Sequence, residues 1–251
     1  MIDYCLKNKI VVVTGGTKGI GRAIVKMFAE YGAIVAFVGR NEERAEQVLL
    51  EIKELGSDGC YFLGDLADDS FCKEVCQSVA DKYGKIDVLV NCAGLLTKSK
   101  IDEVTRDEWD MMLGANLSSC FFMSQQAIPF MKKAGAGRII NISSNAGRMG
   151  GYENSQSYTA TKGAIISITM GMARQLAKDG ITVNVVCPGT TESEMSKLYD
   201  EETRKRLIDR IPIGRFAKPE EVAATVCFLA SHNAACITGA IIDVNGGMYM
   251  G

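Results

Sequence analysis

The chain has 251 residues, 47% of them hydrophobic and 23% charged, with a formal net charge of −2. That length and balance fit one large α/β domain, and the near-neutral charge argues against general binding to nucleic acid or to an anionic membrane. Nine scattered cysteines, odd in number and without a C-x-x-C pair, read as free thiols, and a single histidine, His232, gives little basis for a catalytic zinc or a Ser-His-Asp triad.

No apolar run approaches the roughly 20 residues needed to cross a bilayer, and Met1–Lys7 lacks a signal-peptide pattern. A cytoplasmic protein with no metal site is expected. The first element is Ile10-Val11-Val12-Val13, a β-branched run of the kind buried in a parallel sheet. It leads straight into Thr14-Gly15-Gly16-Thr17-Lys18-Gly19-Ile20-Gly21 and an amphipathic helix through Tyr31. Strand, glycine turn and helix is the context in which glycines let the backbone approach a phosphate, with free N–H groups at the helix start.

A second strand, Ile34–Arg40, closes a βαβ unit. An acid near its end would hold a ribose 2′-OH. Here the residues are Arg40 and Asn41, and Lys18 lies in the glycine turn. Two cations and no acid favour a 2′-phosphate, hence NADP(H) over NAD(H).

The βα rhythm continues through Cys60–Leu63 to Asp65-Leu66, then Ile86–Val90 to Asn91-Cys92-Ala93-Gly94. A helical region over about 106–133 holds Asn116, and Arg138–Ile142 ends at Ser143-Ser144. The next helix carries Tyr158 and Lys162, four apart and so on one face. A free phenol is a poor proton shuttle at neutral pH, and a neighbouring ammonium favours its phenolate. Ile181–Val186 then ends at Cys187-Pro188-Gly189.

Residues 190–216 turn charged and irregular, with Met195, Leu198, Leu207 and Ile208 interspersed, the composition of a lid over a substrate. The run Arg204-Lys205-Arg206 reads as a solvated helix face. A helix opening at Pro219 runs to Ser231, His232 falls in a helix-end turn, and Gly239–Val244 is a last strand. The alternation predicts a doubly wound parallel sheet of Rossmann type in a single domain, with ligands at the carboxyl ends of the strands.

In this order and strand context the motifs resemble those of the short-chain dehydrogenases/reductases. The matching residues are Thr14-Gly15-x-x-x-Gly19-Ile20-Gly21, Asp65-Leu66, Asn91-Cys92-Ala93-Gly94, Asn116, Ser144, Tyr158-x-x-x-Lys162 and Pro188-Gly189. Cys92 departs from the second asparagine common in the family, and the Ser144–Tyr158 spacing is slightly long.

The resemblance implies catalysis by Ser144, Tyr158, Lys162 and Asn116. Tyr158 would exchange a proton with the substrate oxygen, Lys162 would tune it and hold the nicotinamide ribose, and Ser144, preferred over Ser143, would donate to that oxygen. Asn116 would stand in a proton relay behind Lys162. Cofactor contacts are expected from Gly15, Thr17, Lys18, Gly19, Ile20, Gly21, Arg40, Asn41, Asp65, Leu66, Asn91, Ala93, Gly94, Tyr158, Lys162, Pro188, Gly189 and Thr191.

The second half, from Ile211-Pro212-Ile213-Gly214-Arg215-Phe216 to Ile237-Thr238-Gly239, looks most like the 3-oxoacyl-acyl-carrier-protein reductases. That likeness implies an acyl-thioester substrate, an acyl carrier protein as partner and a homotetramer. The family's carrier-gripping arginines correspond here to Gly135 and Asp179, with Lys132, Lys133, Arg174 and Lys178 nearby. A sugar, polyol, steroid or other small ketone is the alternative substrate class, supported by the polar run Tyr152-Glu153-Asn154-Ser155-Gln156. A nucleotide-binding regulator without catalysis is a third reading, against which Ser144, Tyr158 and Lys162 argue.

Overall fold

Short apolar runs, most of them rich in β-branched residues, give the molecule its frame. In the computed structural model, which describes residues 4–151, 155–193, 196 and 199–251, seven strands form one sheet. Tyr152, Glu153 and Asn154 of the polar run, and Glu194, Met195, Lys197 and Leu198 of the expected lid, lie outside the described residues. The strands are β1 (Ile10–Thr14), β2 (Ile34–Gly39), β3 (Gly59–Leu63), β4 (Val88–Asn91), β5 (Gly137–Ile142), β6 (Ile181–Pro188) and β7 (Ile241–Val244). All pairs are parallel, in the order β3-β2-β1-β4-β5-β6-β7. The chain builds outward from β1 to β3, then crosses back to lay β4 on the other side of β1. That reversal opens a crevice between the β1 and β4 turns, the place where such sheets bind ligands.

Side chains alternate between the two faces, as strand geometry requires. Val11, Val13, Phe37, Val88 and Val90 pack under α1 (Gly19–Glu30), α2 (Glu42–Glu54) and α9 (Pro219–Ala230). Ile10, Val12, Ala36, Leu89 and Ile139 pack against α3 (Asp69–Tyr83), α5 (Ser119–Ala134) and α7 (Gln156–Leu176). Phe28 and Phe37 are fully buried on the first side, and each such ring contributes about 1.5–3 kcal/mol. Single-domain α/β architecture of Rossmann type follows from this sheet and its two helical layers.

The second face also carries a chain of buried polar groups. Asn91 Nδ2 donates to Ser124 Oγ and to Asn141 Oδ1, both at 2.9 Å. Asn141 Nδ2 donates to Thr169 Oγ1 at 2.8 Å. All four residues are buried, so these bonds cross-link β4, β5, α5 and α7 where water does not reach.

The single helix expected over 106–133 is instead α4 (Arg106–Met112), a π-helical turn (Leu113–Ser118) and α5. The wider turn holds Asn116, which is fully buried. A short α6 (Ala146–Met149) also separates β5 from α7. In the segment after β6, Glu192 N donates to Ala217 O and Ala217 N to Thr190 O, which ties its two ends together. Between them α8 (Glu201–Ile208) has no buried residue. Arg204, expected on a solvated face, pairs with Glu192 at 3.5 Å and stands 4.8 Å over the Phe216 ring.

Candidate active site

The crevice begins where β1 ends. Thr14 Oγ1 accepts the N–H groups of Cys92 and Ala93, both at 3.0 Å, and so draws the β4 turn against the glycine turn. Gly21, in the first turn of α1, has no room for a side chain: a Cβ would lie 2.1 Å from Gly15 O. The helix therefore starts pressed onto the turn. Lys18 is its extended N-cap, no side chain caps it, and its first turn holds no acid. Its opening N–H groups and positive dipole end are thus offered to an anion, as a dinucleotide pyrophosphate requires.

Two recesses flank this helix start. The smaller, of about 120 Å³, is walled by Thr17, Lys18, Arg40, Asp65, Leu66 and Ala93, among others. The larger, of about 470 Å³, runs past Gly19, Ile20, Gly21 and Gly94 to Ser144, Tyr158, Lys162, Pro188, Gly189 and Thr191. Gly15, Lys18, Ala93, Gly94 and Leu95 line both recesses, so the two are contiguous around the helix start. A further cavity of about 290 Å³ shares Ser144 and Tyr158 with the larger recess and extends toward Lys98, Ser196, Tyr199 and Arg210. Tyr158 and Ser144 therefore face both spaces.

Tyr158 lies in the first turn of α7, and Lys162 follows one turn later. Lys162 is buried, its Nζ donates to Ile142 O at 2.9 Å, and it stands 5.7 Å from the centre of the Tyr158 ring. The hydroxyls of the two serines after β5 have different partners. Ser143 Oγ donates to the Lys162 carbonyl at 2.7 Å and so braces α7. Among the described residues Ser144 Oγ makes only local bonds, to Asn145 Oδ1 and from Ala146 N, both at 3.1 Å. It is the hydroxyl that opens on both cavities.

A family model described as enoyl-(acyl carrier protein) reductase matches residues 15–249. The chain belongs to the short-chain dehydrogenase/reductase family. The 3-oxoacyl-[acyl-carrier-protein] reductase FabG of Staphylococcus aureus is 40% identical over 245 residues, covering 97% of this chain and 99% of the relative. The protein of that name from Vibrio cholerae is 37% identical over 245 residues, covering 98% and 99%. As a short-chain dehydrogenase/reductase the chain is an NAD(P)-dependent oxidoreductase.

Within this short-chain dehydrogenase/reductase site, two expected cofactor residues do not wall the crevice. Asn41 is the N-cap of α2, its side chain accepting from Arg44 N at 2.8 Å. Asn91 turns into the buried polar chain, because the strand alternation sends it to the same face as Leu89. Asn116 does not wall it either. Its amide accepts from Leu95 N at 2.7 Å and donates to Leu95 O and Thr161 Oγ1, both at 3.1 Å. It thereby fixes the strand exit over Lys162, whose Nζ lies 3.5 Å from where a Cβ on Gly94 would stand.

Wall residues not anticipated include Cys92, Leu95, Leu96, Ala115, Glu192 and Ser193. Most of them simply continue the runs after Gly94 and Thr191, and that adjacency was the available signal. Cys92 is a neutral thiol there, since burial pushes it up to about 11 against the opposing pull of Lys162. Among the described residues no helix is long and apolar enough to cross a membrane.

Proposed function

We propose that the protein is an NADPH-dependent reductase that converts a 3-oxoacyl thioester, carried on acyl carrier protein, to the 3-hydroxyacyl form. The observation that carries this reading is the pair of hydroxyls, Ser144 and Tyr158, shared by the dinucleotide recess and the outer cavity over a buried Lys162. When bound, the nicotinamide supplies or takes the hydride. Ser144 donates to the carbonyl oxygen where negative charge develops. Tyr158 gives that oxygen its proton, and the Lys162 ammonium stabilises the phenolate left behind. Asn116 acts indirectly, by holding the Leu95 backbone and Thr161 around the lysine. In the oxidative direction each step runs backwards.

Thr17, Lys18 and Arg40 beside the smaller recess support a 2′-phosphate there, and Asp65 is occupied in part by Ala67 N at 3.0 Å. Arg40→Asp is expected to raise the KM for NADPH by about 10- to 100-fold, the loss of charge-assisted bonds of about 1.5–3 kcal/mol. NADH should change by less than about threefold over the same assays. Equal changes for both cofactors would make Arg40 a helix-start charge only.

For an acidic carrier protein, Lys133 at the end of α5 and Arg174 and Lys178 at the end of α7 are exposed, while Lys132 is paired with Asp179 at 2.8 Å. The segment 190–216, pinned at its ends and bare of buried residues in α8, supports a lid over the outer cavity. Ala164, Ile168 and Met172 stay partly exposed on α7 and support packing against another copy in a tetramer.

The test is NADPH consumption with acetoacetyl thioester, run beside a panel of sugars, polyols, steroids and small ketones. Turnover of the thioester above the panel supports the proposal. Thr190, Thr191, Ser193, Ser196 and Tyr199 line the outer cavity with hydroxyls, which favours a polyol or sugar as the second reading. Preference for such a substrate would replace the thioester assignment.

A further inference from the structure

Glu108 does not touch the crevice, yet it is tied to both of its walls. It sits in the first turn of α4, whose N-cap Thr105 accepts its N–H at 3.1 Å. Its carboxylate reaches away from that helix. Oε1 accepts from Thr97 Oγ1 at 2.8 Å, Ser155 Oγ at 2.8 Å and Ser157 Oγ at 2.9 Å, and Oε2 accepts from Ser99 Oγ at 2.5 Å. Four hydroxyls from two separate segments thus converge on one carboxyl group.

The two segments are the ones that frame the reacting groups. Thr97 and Ser99 belong to the loop after β4, where Leu95 and Leu96 line the large recess and Leu96 also lines the outer cavity. Ser155 is the N-cap of α7, and Ser157 immediately precedes Tyr158. Ser155 N also donates to Thr97 O at 3.0 Å, so backbone and side chains join the same two stretches of chain. Ser155 and Ser157 are fully buried. A carboxylate beside the start of α7 is further favoured by the positive end of that helix. The four hydroxyls hold Glu108 down at about 2, so it remains an ionised acceptor throughout the working pH range.

We propose that Glu108 is a positioning residue for the reaction: from α4 it locks the first turn of α7 to the loop Leu95–Ser99 and so sets where Tyr158 stands against the substrate wall. This rests on Tyr158 being the proton donor assigned above. The dependence is steep, because a misplacement of about 1 Å costs about 100-fold in rate.

Glu108→Ala and Glu108→Gln are compared with the wild type on whichever ketone the wild type turns over. Glu108→Ala is expected to lower kcat by about 100-fold while the NADPH dissociation constant, read by cofactor fluorescence, stays within about threefold. Glu108→Gln keeps an oxygen for the three hydroxyls on Oε1 and should restore kcat to within about tenfold of the wild type. A folded Glu108→Ala enzyme with kcat within about threefold of the wild type would overturn the proposal, whatever its melting temperature. If that variant does not fold, the double variant Ser155→Ala, Ser157→Ala decides: about a tenfold loss of kcat supports the lock and unchanged kcat refutes it. Full turnover by Tyr158→Phe would instead sink the proton-donor assignment, and a wild type inactive only on the thioester would sink the substrate.

Discussion

Replacing Tyr158 with phenylalanine is expected to lower kcat/KM for ketone reduction by about 1,000-fold, within the range that a positioned general acid supplies. The variant keeps the ring and therefore the packing of the first turn of α7. It also keeps Lys162, whose bond to Ile142 O does not involve the phenol. NADPH affinity and melting temperature should stay close to those of the wild type. The measurement is steady-state NADPH oxidation beside a fluorescence titration of the cofactor. Turnover equal to the wild type would remove Tyr158 from the proton path, and a parallel loss of cofactor binding would make it a binding residue.

The second large effect is expected at Gly21. An alanine Cβ there would stand 2.1 Å from Gly15 O, a backbone atom that has no rotamer through which to yield. The turn, or the start of α1, must move. Overpacking of this kind costs about 1–3 kcal/mol in stability, and about 3 kcal/mol taken from cofactor binding is a loss of about 100-fold in affinity. Gly19 is the control. It has φ +52° but open space where a Cβ would stand, so Gly19→Ala should cost only the left-handed penalty of about 1–2 kcal/mol. Chemical denaturation and NADPH titration of the two variants separate them, and equal effects would mean that steric pressure at Gly21 is relieved elsewhere.

The strands were legible because a parallel sheet buried on both faces favours short apolar runs rich in β-branched residues, and Ile10–Val13, Ile34–Val38, Arg138–Ile142 and Ile181–Val186 are such runs. The crevice was legible for a related reason: Gly15, Arg40, Ser144 and Pro188 lie at the carboxyl ends of β1, β2, β5 and β6. The π-helical turn was not, since the apolar and polar pattern over 106–133 carries no mark of a wider turn at Leu113–Ser118, where Asn116 bonds to Leu95 and Thr161 outside the helix. The inward turn of the Asn91 side chain was also legible, since the alternation of its own strand places it on the face of Leu89. Glu108 gave no signal at all. An acid in the first turn of a helix already has a local explanation, and its four hydroxyl partners come from residues 9 to 49 positions away in sequence.

The buried chain through Asn91, Ser124, Asn141 and Thr169 bears on how such a protein can change over generations. Losing one member strands its partners out of reach of water, at about 1–3 kcal/mol for each group left unpaired. Exchanging matched partners together for apolar side chains of similar shape is close to neutral. Each first step is therefore penalised while the completed exchange is not. The four positions form a ratchet in sequence space, in which each residue is held by the partners it would leave unpaired.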